Sequence, residues 1–168
     1  MEYVVLVTEK DMQTGIMEKL EAHQKGLLHR AISVFIYNSN GEMLLQKRAA
    51  AKYHSANLWT NTCCTHPRQG ETVAGAAARR LSEEMGMKCD LTEITSFIYK
   101  AQLENNLVEH EFDHVFVGVT DDLPMPDPAE VADWKYLHKK DLIRYIQEQP
   151  EQYTEWFKIC IRDLGDKI

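Results

Sequence analysis

The sequence has little of several features, and each shortage excludes a class of protein. No apolar run in the 168 residues approaches the length of about 18 residues that a membrane-spanning helix needs. Four cysteines are too few for a disulfide framework in a chain of this length, so we expect reduced thiols and a cytoplasmic location. No internal repeat, low-complexity segment or interdomain linker is present, which predicts one domain over residues 1–168.

Basic residues are also fewer than acidic ones. The chain has 19 Lys and Arg against 26 Asp and Glu, a net charge of −7, whereas nucleic-acid-binding proteins neutralise phosphates with basic surfaces. The first residues lack a basic leader and a cleavage site, which predicts a strand there instead of a signal peptide. We therefore expect a monomer that binds a small molecule, with no nucleic-acid or membrane partner. An anionic ligand would have to enter a local cluster of cations.

Hydrophobic periodicity predicts strands interleaved with helices. The predicted strands cover residues 3–8, 31–37, 43–46, 91–99, 112–119 and 134–138. The predicted helices cover residues 13–23, 72–85, 139–147 and 151–164. The clearest helix is 72–85, which carries an apolar stripe and is followed by a helix-stopping glycine, Gly86. Together these elements predict an α/β or α+β fold.

The segment Trp59–Pro67 has the most unusual chemistry, because Cys64 precedes His66 by two residues just ahead of the clearest helix. A thiol takes part in proton transfer when its pKa is drawn toward neutrality, and a nearby cation or metal site can do this. His66 is the candidate to help hold such a metal. The alternative is a buried loop cysteine beside an ordinary histidine.

A second pattern is a set of possible metal ligands. Glu109 and Glu111 lie two residues apart in a predicted strand, so both side chains point to one face, where they repel unless a cation or a shared proton joins them. Imidazoles with carboxylates suit Mn, Zn, Fe or Mg. The candidate ligands are His23, His29, His66, Glu109 and Glu111. The alternative is a solvated strand face and unrelated histidines.

Charged and aromatic residues supply the remaining candidates. Arg80, Glu83 and Glu84 share one face of the predicted helix, where a carboxylate could hold a divalent ion against a phosphate and Arg80 could contact the phosphate. The alternative is an ion pair within a solvated helix. The other candidate phosphate-binding cations are Lys19, Lys25, Arg48, Lys52 and Arg68. The aromatic residues that could line a site are Trp59, Tyr99 and Trp156.

Four segments together resemble type 1 isopentenyl-diphosphate isomerases, a branch of the Nudix fold. They are residues 25–31 (KGLLHRA), 59–67 (WTNTCCTHP), 109–111 (EHE) and 156–159 (WFKI). The Nudix box is recognisable from Glu71 to Gly86 but degenerate, with Thr65 in place of its leading Gly and Arg80 in place of a metal-binding Glu. The resemblance implies a mixed β-sheet sandwiched between helices. The cation at position 80 argues against a pyrophosphohydrolase.

The resemblance also implies a role for each matching residue. Cys64 and Glu111 match the catalytic pair, Tyr99 matches a hydroxyl that works with the glutamate, and Trp156 matches an aromatic ring over the reacting carbons. One divalent metal (Mn²⁺, Zn²⁺ or Mg²⁺) would be held by His23, His29, His66, Glu109 and Glu111. A Mg²⁺ bound to the diphosphate would be held by Glu84 and the Cys64 carbonyl oxygen. The diphosphate itself would be bound by Lys19, Arg48, Lys52 and Arg80.

The implied reaction converts isopentenyl diphosphate to dimethylallyl diphosphate in isoprenoid biosynthesis. Protonation at one carbon and deprotonation at another would move the double bond, with Glu111 and Tyr99 on the acid side and Cys64 on the base side. Two alternatives remain at the level of sequence. One is a Nudix-type diphosphohydrolase, and the other is a catalytically silent domain that binds metal or anions.

Overall fold

The computed structural model describes residues 2–52 and 54–168. Its strands are β1 (Tyr3–Val7), β2 (Gln13–Glu18), β3 (His29–Tyr37), β4 (Glu42–Arg48), β5 (Trp59–Thr60), β6 (Cys63–Thr65), β7 (Thr92–Gln102), β8 (Val108–Val119) and β9 (Val131–His138). Its helices are α1 (Lys19–Lys25), α2 (Val73–Met85), α3 (Lys139–Glu148) and α4 (Glu155–Leu164). Short 3₁₀ turns cover Glu104–Asn106 and Pro150–Gln152.

The strands form one mixed sheet around β3. This strand pairs in parallel with β8 and antiparallel with β1, β4 and β6. β7 extends the sheet beyond β8, β9 pairs with β4, and β2 pairs with β1. The parallel β3–β8 pair aligns His29 with Glu111 and Tyr37 with Val119. Parallel strands at the centre of a sheet are usually covered on both faces, and the two hydrophobic cores of this protein provide that cover.

Alternate residues of β3 serve two hydrophobic cores, one on each face of the sheet. Ile32, Val34 and Ile36 pack with the apolar stripe of α2. Phe35 packs on the other face with residues of α3 and α4, among them Leu142 and Phe157. The expected mixed sheet sandwiched between helices is confirmed. None of the helices in the described ranges is long and apolar enough to cross a bilayer.

Helix α2 begins and ends where its sequence predicts. The Thr72 side chain accepts a hydrogen bond from the Gly75 N–H at 3.0 Å, which caps the first turn. Gly86 adopts a left-handed conformation (φ 63°), its N–H donates to the Ser82 carbonyl at 3.1 Å, and the Met87 N–H donates to the Leu81 carbonyl at 3.4 Å. A Cβ at Gly86 would lie 2.4 Å from the Met125 carbonyl oxygen, so the following loop leaves no room for a side chain there.

The predicted helix over residues 13–23 is wrong in its first half. Residues Gln13–Glu18 form β2, whose backbone pairs with β1 through Val4–Met17 and Val5–Ile16. The helix begins only at Lys19, where the Glu18 side chain accepts the Glu21 N–H at 2.9 Å. Pairing with β1 therefore outweighs the helical spacing of the apolar residues. It also starts α1 where the helix can present Lys19 and His23 to the site described below.

Candidate active site

The two predicted proton-transfer residues lie on the strands that flank β3. Cys64 on β6 is paired with Ser33, and Glu111 on β8 is paired with His29. Ser33 and His29 are four residues apart on one strand, so their side chains and those of their partners share a face of the sheet. Both groups line one cavity of about 330 Å³.

The adjacent cysteines of this segment point to opposite faces. Cys63 is fully buried against the α2 core, whereas Cys64 lies on the α4 side and lines the cavity. The Cys64 thiol donates to the Asn61 side-chain oxygen at 3.3 Å. Strand alternation thus separates a packing cysteine from a cysteine that faces the cavity.

The cavity gathers most of the predicted site residues. Of the thirteen that the resemblance implies, all but His23 and His29 line it. Those lining it are Lys19, Arg48, Lys52, Cys64, His66, Arg80, Glu84, Tyr99, Glu109, Glu111 and Trp156. His23 and His29 are completely buried beside the cavity, within a group that could hold a metal ion.

The ligand atoms of His23, His29, His66 and Glu111 all lie within 4.8 Å of one another. The Glu111 Oε1 atom is 2.9 Å from His66 Nε2 and 3.6 Å from His29 Nε2. These separations are ones that a single ion could span, because metal bonds to imidazole nitrogen and carboxylate oxygen are each about 2.0–2.2 Å long.

Backbone hydrogen bonds orient two of these histidines. His23 Nδ1 lies 2.6 Å from the Lys19 carbonyl oxygen, and His29 Nδ1 lies 2.8 Å from the Leu27 carbonyl oxygen. Each backbone acceptor fixes the proton on Nδ1 and leaves Nε2 with a lone pair. Within the described residues, the buried His23 Nε2 has no hydrogen-bond partner. An unsatisfied inward-facing nitrogen among nitrogen and oxygen donors fits a divalent metal.

Glu109 lies beside this group but outside its 4.8 Å limit. Its Oε1 atom is 3.8 Å from His23 Nε2. Burial and the neighbouring Glu111 charge raise the pKa of Glu109 to about 7. Burial alone would also raise the pKa of Glu111, but hydrogen bonds with Glu109, His29 and Tyr99 outweigh it and lower that pKa to about 2. Glu111 is therefore the carboxylate of the pair and Glu109 the weaker acid.

Tyr99 and Trp156 complete the wall of the cavity. The Tyr99 hydroxyl donates to Glu111 Oε2 at 2.6 Å, because β7 pairs Tyr99 directly with Glu111. Burial strongly raises the pKa of Tyr99, so this hydroxyl keeps its proton. Trp156, at the start of α4, is almost fully buried, with the Arg48 guanidinium 5.2 Å from its ring centre.

The Cys64 thiol is buried close to charged groups of both signs. Burial raises the pKa of Cys64 well above its usual value, and the nearby Glu84 and Asp113 carboxylates add to this effect, whereas Arg48 lowers it. A further cation or a metal beside the thiol would also lower its pKa.

A network of opposite charges forms the other end of the cavity. The Arg80 guanidinium contacts both the buried Glu84 carboxylate and Glu130, with 2.6 Å to Glu130 Oε2. Lys52 also binds the Glu130 carboxylate. Gln46 donates to Glu84 at 2.6 Å. The alternative considered from sequence, an ion pair within the helix, is present between Arg80 and Glu84, but it lies at the cavity instead of on a solvated helix face.

Arg48 and Lys19 reach the cavity from two further elements. Arg48, at the end of β4, donates to the backbone carbonyls of His54 and Ser55 at 3.2 and 3.1 Å. Lys19, at the start of α1, lies 3.1 Å from the Glu2 carboxylate. Four cations from β4, α1, α2 and the segment after β4 thus meet at one opening, as anion binding against a net negative charge requires.

Three of the residues considered from sequence lie elsewhere. Lys25 pairs with Glu21 on the exposed side of α1, and Arg68 lies 3.6 Å from Glu83 outside the cavity. Trp59 packs beneath Lys135, whose ammonium is 4.0 Å from the ring centre.

Glu130 and His54 are among the cavity-lining residues that sequence reasoning missed. Glu130 bridges Lys52 and Arg80, and His54 is a buried imidazole beside Glu109. Burial lowers the pKa of His54 to about 4, so the ring is neutral. Both lie in irregular segments without a periodic pattern. The only sequence signal was their type, an acid near a proline-rich loop and a histidine near the Cys64 segment.

Comparisons with known proteins agree on the fold and on the family. Residues 27–157 match the NUDIX domain. A Deinococcus radiodurans crystal structure superposes with a TM-score of 0.79 over 96% of this chain and 98% of that one, at 19% identity. A MutT protein from Methanosarcina mazei gives a TM-score of 0.67 over 84% of this chain and 96% of that one, at 16% identity. At these identities the two structures support the fold alone.

Two curated bacterial relatives are much more similar in sequence. The isopentenyl-diphosphate Delta-isomerase of Pectobacterium atrosepticum is 51% identical over 97% of this chain and 91% of its own length. An isopentenyl-diphosphate Delta-isomerase of Aromatoleum aromaticum is 52% identical over 94% of this chain and 89% of its own length. The chain therefore belongs to the isopentenyl-diphosphate Delta-isomerase family, which is built on the Nudix fold.

Proposed function

We propose that this chain isomerises isopentenyl diphosphate to dimethylallyl diphosphate. The observation that carries the proposal is that a thiol and a carboxylate, Cys64 and Glu111, line one cavity that four cations also line. A hydrophobic tail and a diphosphate are the two halves of this substrate. Curated relatives about half identical to this chain carry the name of the same enzyme.

The reaction needs two proton-transfer groups and a protected cation. An acid adds a proton to C4, and the electrons of the C3–C4 double bond form the new C–H bond. A base then removes a proton from C2, and that electron pair forms the C2–C3 double bond. The intermediate has tertiary carbocation character, so water must be kept away from it. The binding energy of the diphosphate fixes the short tail between the two groups.

We assign Glu111, with Tyr99 as its hydrogen-bond donor, to the acid side and Cys64 to the base side. The 2.6 Å hydrogen bond between Tyr99 and Glu111 provides a path for a proton at that wall of the cavity. Burial raises the pKa of Cys64 and hydrogen bonds lower the pKa of Glu111, so the reverse assignment, with Cys64 as the acid and Glu111 as the base, is tested beside this one. In both assignments these residues are the two groups that move protons.

Solvent exchange separates the two directions. If Cys64 is the base at C2, Cys64→Ala still allows reversible protonation at C4, and recovered isopentenyl diphosphate gains deuterium at C4 in D₂O. If Cys64 is the acid at C4, that variant gives no exchange, and Glu111→Gln shows the C4 exchange instead. NMR of the substrate recovered from each variant measures the deuterium content at C4.

Two divalent-metal sites belong to this proposal. His23, His29, His66, Glu109 and Glu111 would hold one ion (Mn²⁺, Zn²⁺ or Mg²⁺). Glu84 and the Cys64 carbonyl oxygen would hold a Mg²⁺ that arrives with the diphosphate. A divalent ion, when bound, fixes the geometry and the acidity of its carboxylate ligands. The chain prepares the first site by fixing the tautomers of His23 and His29.

The remaining residues bind and shield the substrate. Lys19, Arg48, Lys52 and Arg80 supply the positive charge for the diphosphate. Trp156 offers a ring face to the developing positive charge, an interaction worth about 2 kcal/mol when desolvated. These groups reach the cavity from separate elements, so substrate binding depends on the folded chain and not on a local motif.

A Nudix-type diphosphohydrolase is the alternative on the same fold. Arg80 weighs against it, because a cation stands where the Nudix box has a metal-binding Glu, which weakens the multi-Mg²⁺ site that a hydrolase uses to activate water. Incubation of the purified protein and Mg²⁺ with isopentenyl diphosphate in D₂O, beside a panel of nucleotides, tests both functions. Labelled dimethylallyl diphosphate supports the isomerase, and released phosphate or nucleoside monophosphate supports the hydrolase.

A further inference from the structure

His54 is a buried side chain in the cavity for which the proposed mechanism has no use. It is 5% exposed and lines the same cavity as Glu109 and Trp156. Its ring stands nearly perpendicular to Trp156, with centroids 5.8 Å apart. Its Nε2 atom is 3.7 Å from Glu109 Oε1. The imidazole therefore lies between a proposed metal ligand and the ring proposed to face the carbocation.

Glu109 is the proposed ligand that most needs positioning. The ligand atoms of the other four residues already lie within 4.8 Å of one another, and Glu109 stands outside that group. Its Oε1 atom faces two imidazole nitrogens, His23 Nε2 at 3.8 Å and His54 Nε2 at 3.7 Å. His23 belongs to the proposed ligand set, whereas His54 does not. A residue outside the ligand set that faces a ligating carboxylate is placed to orient it.

The backbone holds His54 in position. Arg48 donates to the carbonyl oxygens of His54 and Ser55, and the Ser55 N–H donates to Glu104 Oε1 at 2.5 Å. Ser55 and Asn57 both have left-handed backbone conformations, with φ of 50° and 62°. Such conformations persist where surrounding contacts determine them, and they cluster at functional sites. These backbone contacts hold the loop that carries the imidazole.

A serine hydroxyl lies beside the ring nitrogen of His54 that faces away from Glu109. The Ser55 Oγ atom lies 3.2 Å from His54 Nδ1. A serine hydroxyl that donates to Nδ1 leaves the ring proton on Nε2 in the neutral imidazole. We propose that His54 is a positioning residue whose Nε2–H orients the Glu109 carboxylate toward the metal centre. The inference rests on the proposed metal site.

The test compares two substitutions of similar size in the full-length chain. His54→Gln keeps an N–H donor at the end of its side chain, whereas His54→Leu fills the space without one. The probe is Mn²⁺, and its dissociation constant is measured by competition with a chelator. We expect His54→Leu to weaken Mn²⁺ binding by about 10- to 100-fold, the range for loss of a partner to a metal ligand. We expect His54→Gln to stay within about threefold of the unchanged protein.

Two further variants serve as controls. His138→Ala removes an exposed histidine on β9 and should leave the dissociation constant unchanged. His29→Ala removes a proposed ligand and should abolish binding. Thermal unfolding of each variant without metal shows that the fold is kept.

Each contrary result has a distinct meaning. Unchanged Mn²⁺ affinity in His54→Leu, with loss of binding in His29→Ala, overturns the role of His54 and leaves the metal site standing. Equal weakening in the Leu and Gln variants assigns His54 to packing and also overturns the proposal. Absence of Mn²⁺ binding by the unchanged protein overturns the metal site and, with it, this inference.

Discussion

Cys64 and Glu111 reach one cavity from the two strands that flank β3, with Cys64 opposite Ser33 and Glu111 opposite His29. Their sequence separation is large, so only the sheet brings them together. The antiparallel pairing of β6 and the parallel pairing of β8 place both side chains on the face covered by α4. Every functional prediction below depends on this placement.

The two adjacent cysteines should differ sharply on substitution. Cys64→Ala should lower kcat by at least about 10²- to 10⁴-fold, the usual contribution of a proton-transfer group. Cys63→Ala should keep normal turnover and lose about 1 kcal/mol of unfolding free energy, because Cys63 only packs against α2. Steady-state kinetics and urea unfolding of both variants check this. Normal turnover in Cys64→Ala with an inactive Cys63→Ala would reverse the assignment.

Removal of the Tyr99 hydroxyl should reduce kcat more than it reduces affinity for the diphosphate. Tyr99→Phe deletes the hydrogen bond to Glu111, and hydrogen bonds to charged groups contribute about 1.5–3 kcal/mol. We expect kcat to fall by about 10- to 100-fold while affinity for inorganic pyrophosphate stays unchanged. Calorimetric titration with pyrophosphate provides the binding control. A variant with full kcat would remove Tyr99 from the acid side.

Trp156 should stabilise the positively charged transition state. Trp156→Ala should lower kcat by about 5- to 30-fold, equivalent to about 1–2 kcal/mol of cation–π stabilisation, and change KM less. Trp156→Phe keeps an aromatic face and should recover part of the loss. The split between kcat and KM in the two variants is the measurement. An effect on KM alone would make Trp156 a packing residue.

The cations at the cavity should determine affinity for the diphosphate. Lys52→Ala should raise KM by about tenfold, since it removes one charged partner of the substrate. Lys25→Ala is the matched control, because Lys25 pairs with Glu21 outside the cavity and should change nothing. KM values for both variants at one ionic strength are compared. Equal effects would point to the overall charge and not to a built site.

Much of the fold could be predicted from periodicity, and the failures have a physical cause. Helix α2 and its stop at Gly86 follow from local sequence, because an apolar stripe and a left-handed glycine specify them independently of distant residues. Residues Gln13–Glu18 were assigned to a helix because Ile16 and Leu20 lie four residues apart, whereas their strand conformation depends on β1. Pairing between strands is not visible in a short window of sequence.

The candidate site likewise contains some residues that local sequence reveals and others that depend on distant parts of the chain. Cys64, Glu111 and Tyr99 could be found because they lie in recognisable segments. His54 and Glu130 could not, since each lies in an irregular segment and gains its role from contacts with residues far along the chain. The raised pKa of Cys64 likewise depends on burial and on carboxylates from other elements.

The most direct test of the central claim is NMR of the product formed from isopentenyl diphosphate in D₂O by the unchanged protein with Mg²⁺. If Cys64 and Glu111 act from two sides of one cavity, the product is dimethylallyl diphosphate with solvent deuterium in the methyl group derived from C4. Recovery of unlabelled isopentenyl diphosphate from folded, metal-loaded protein would contradict the account.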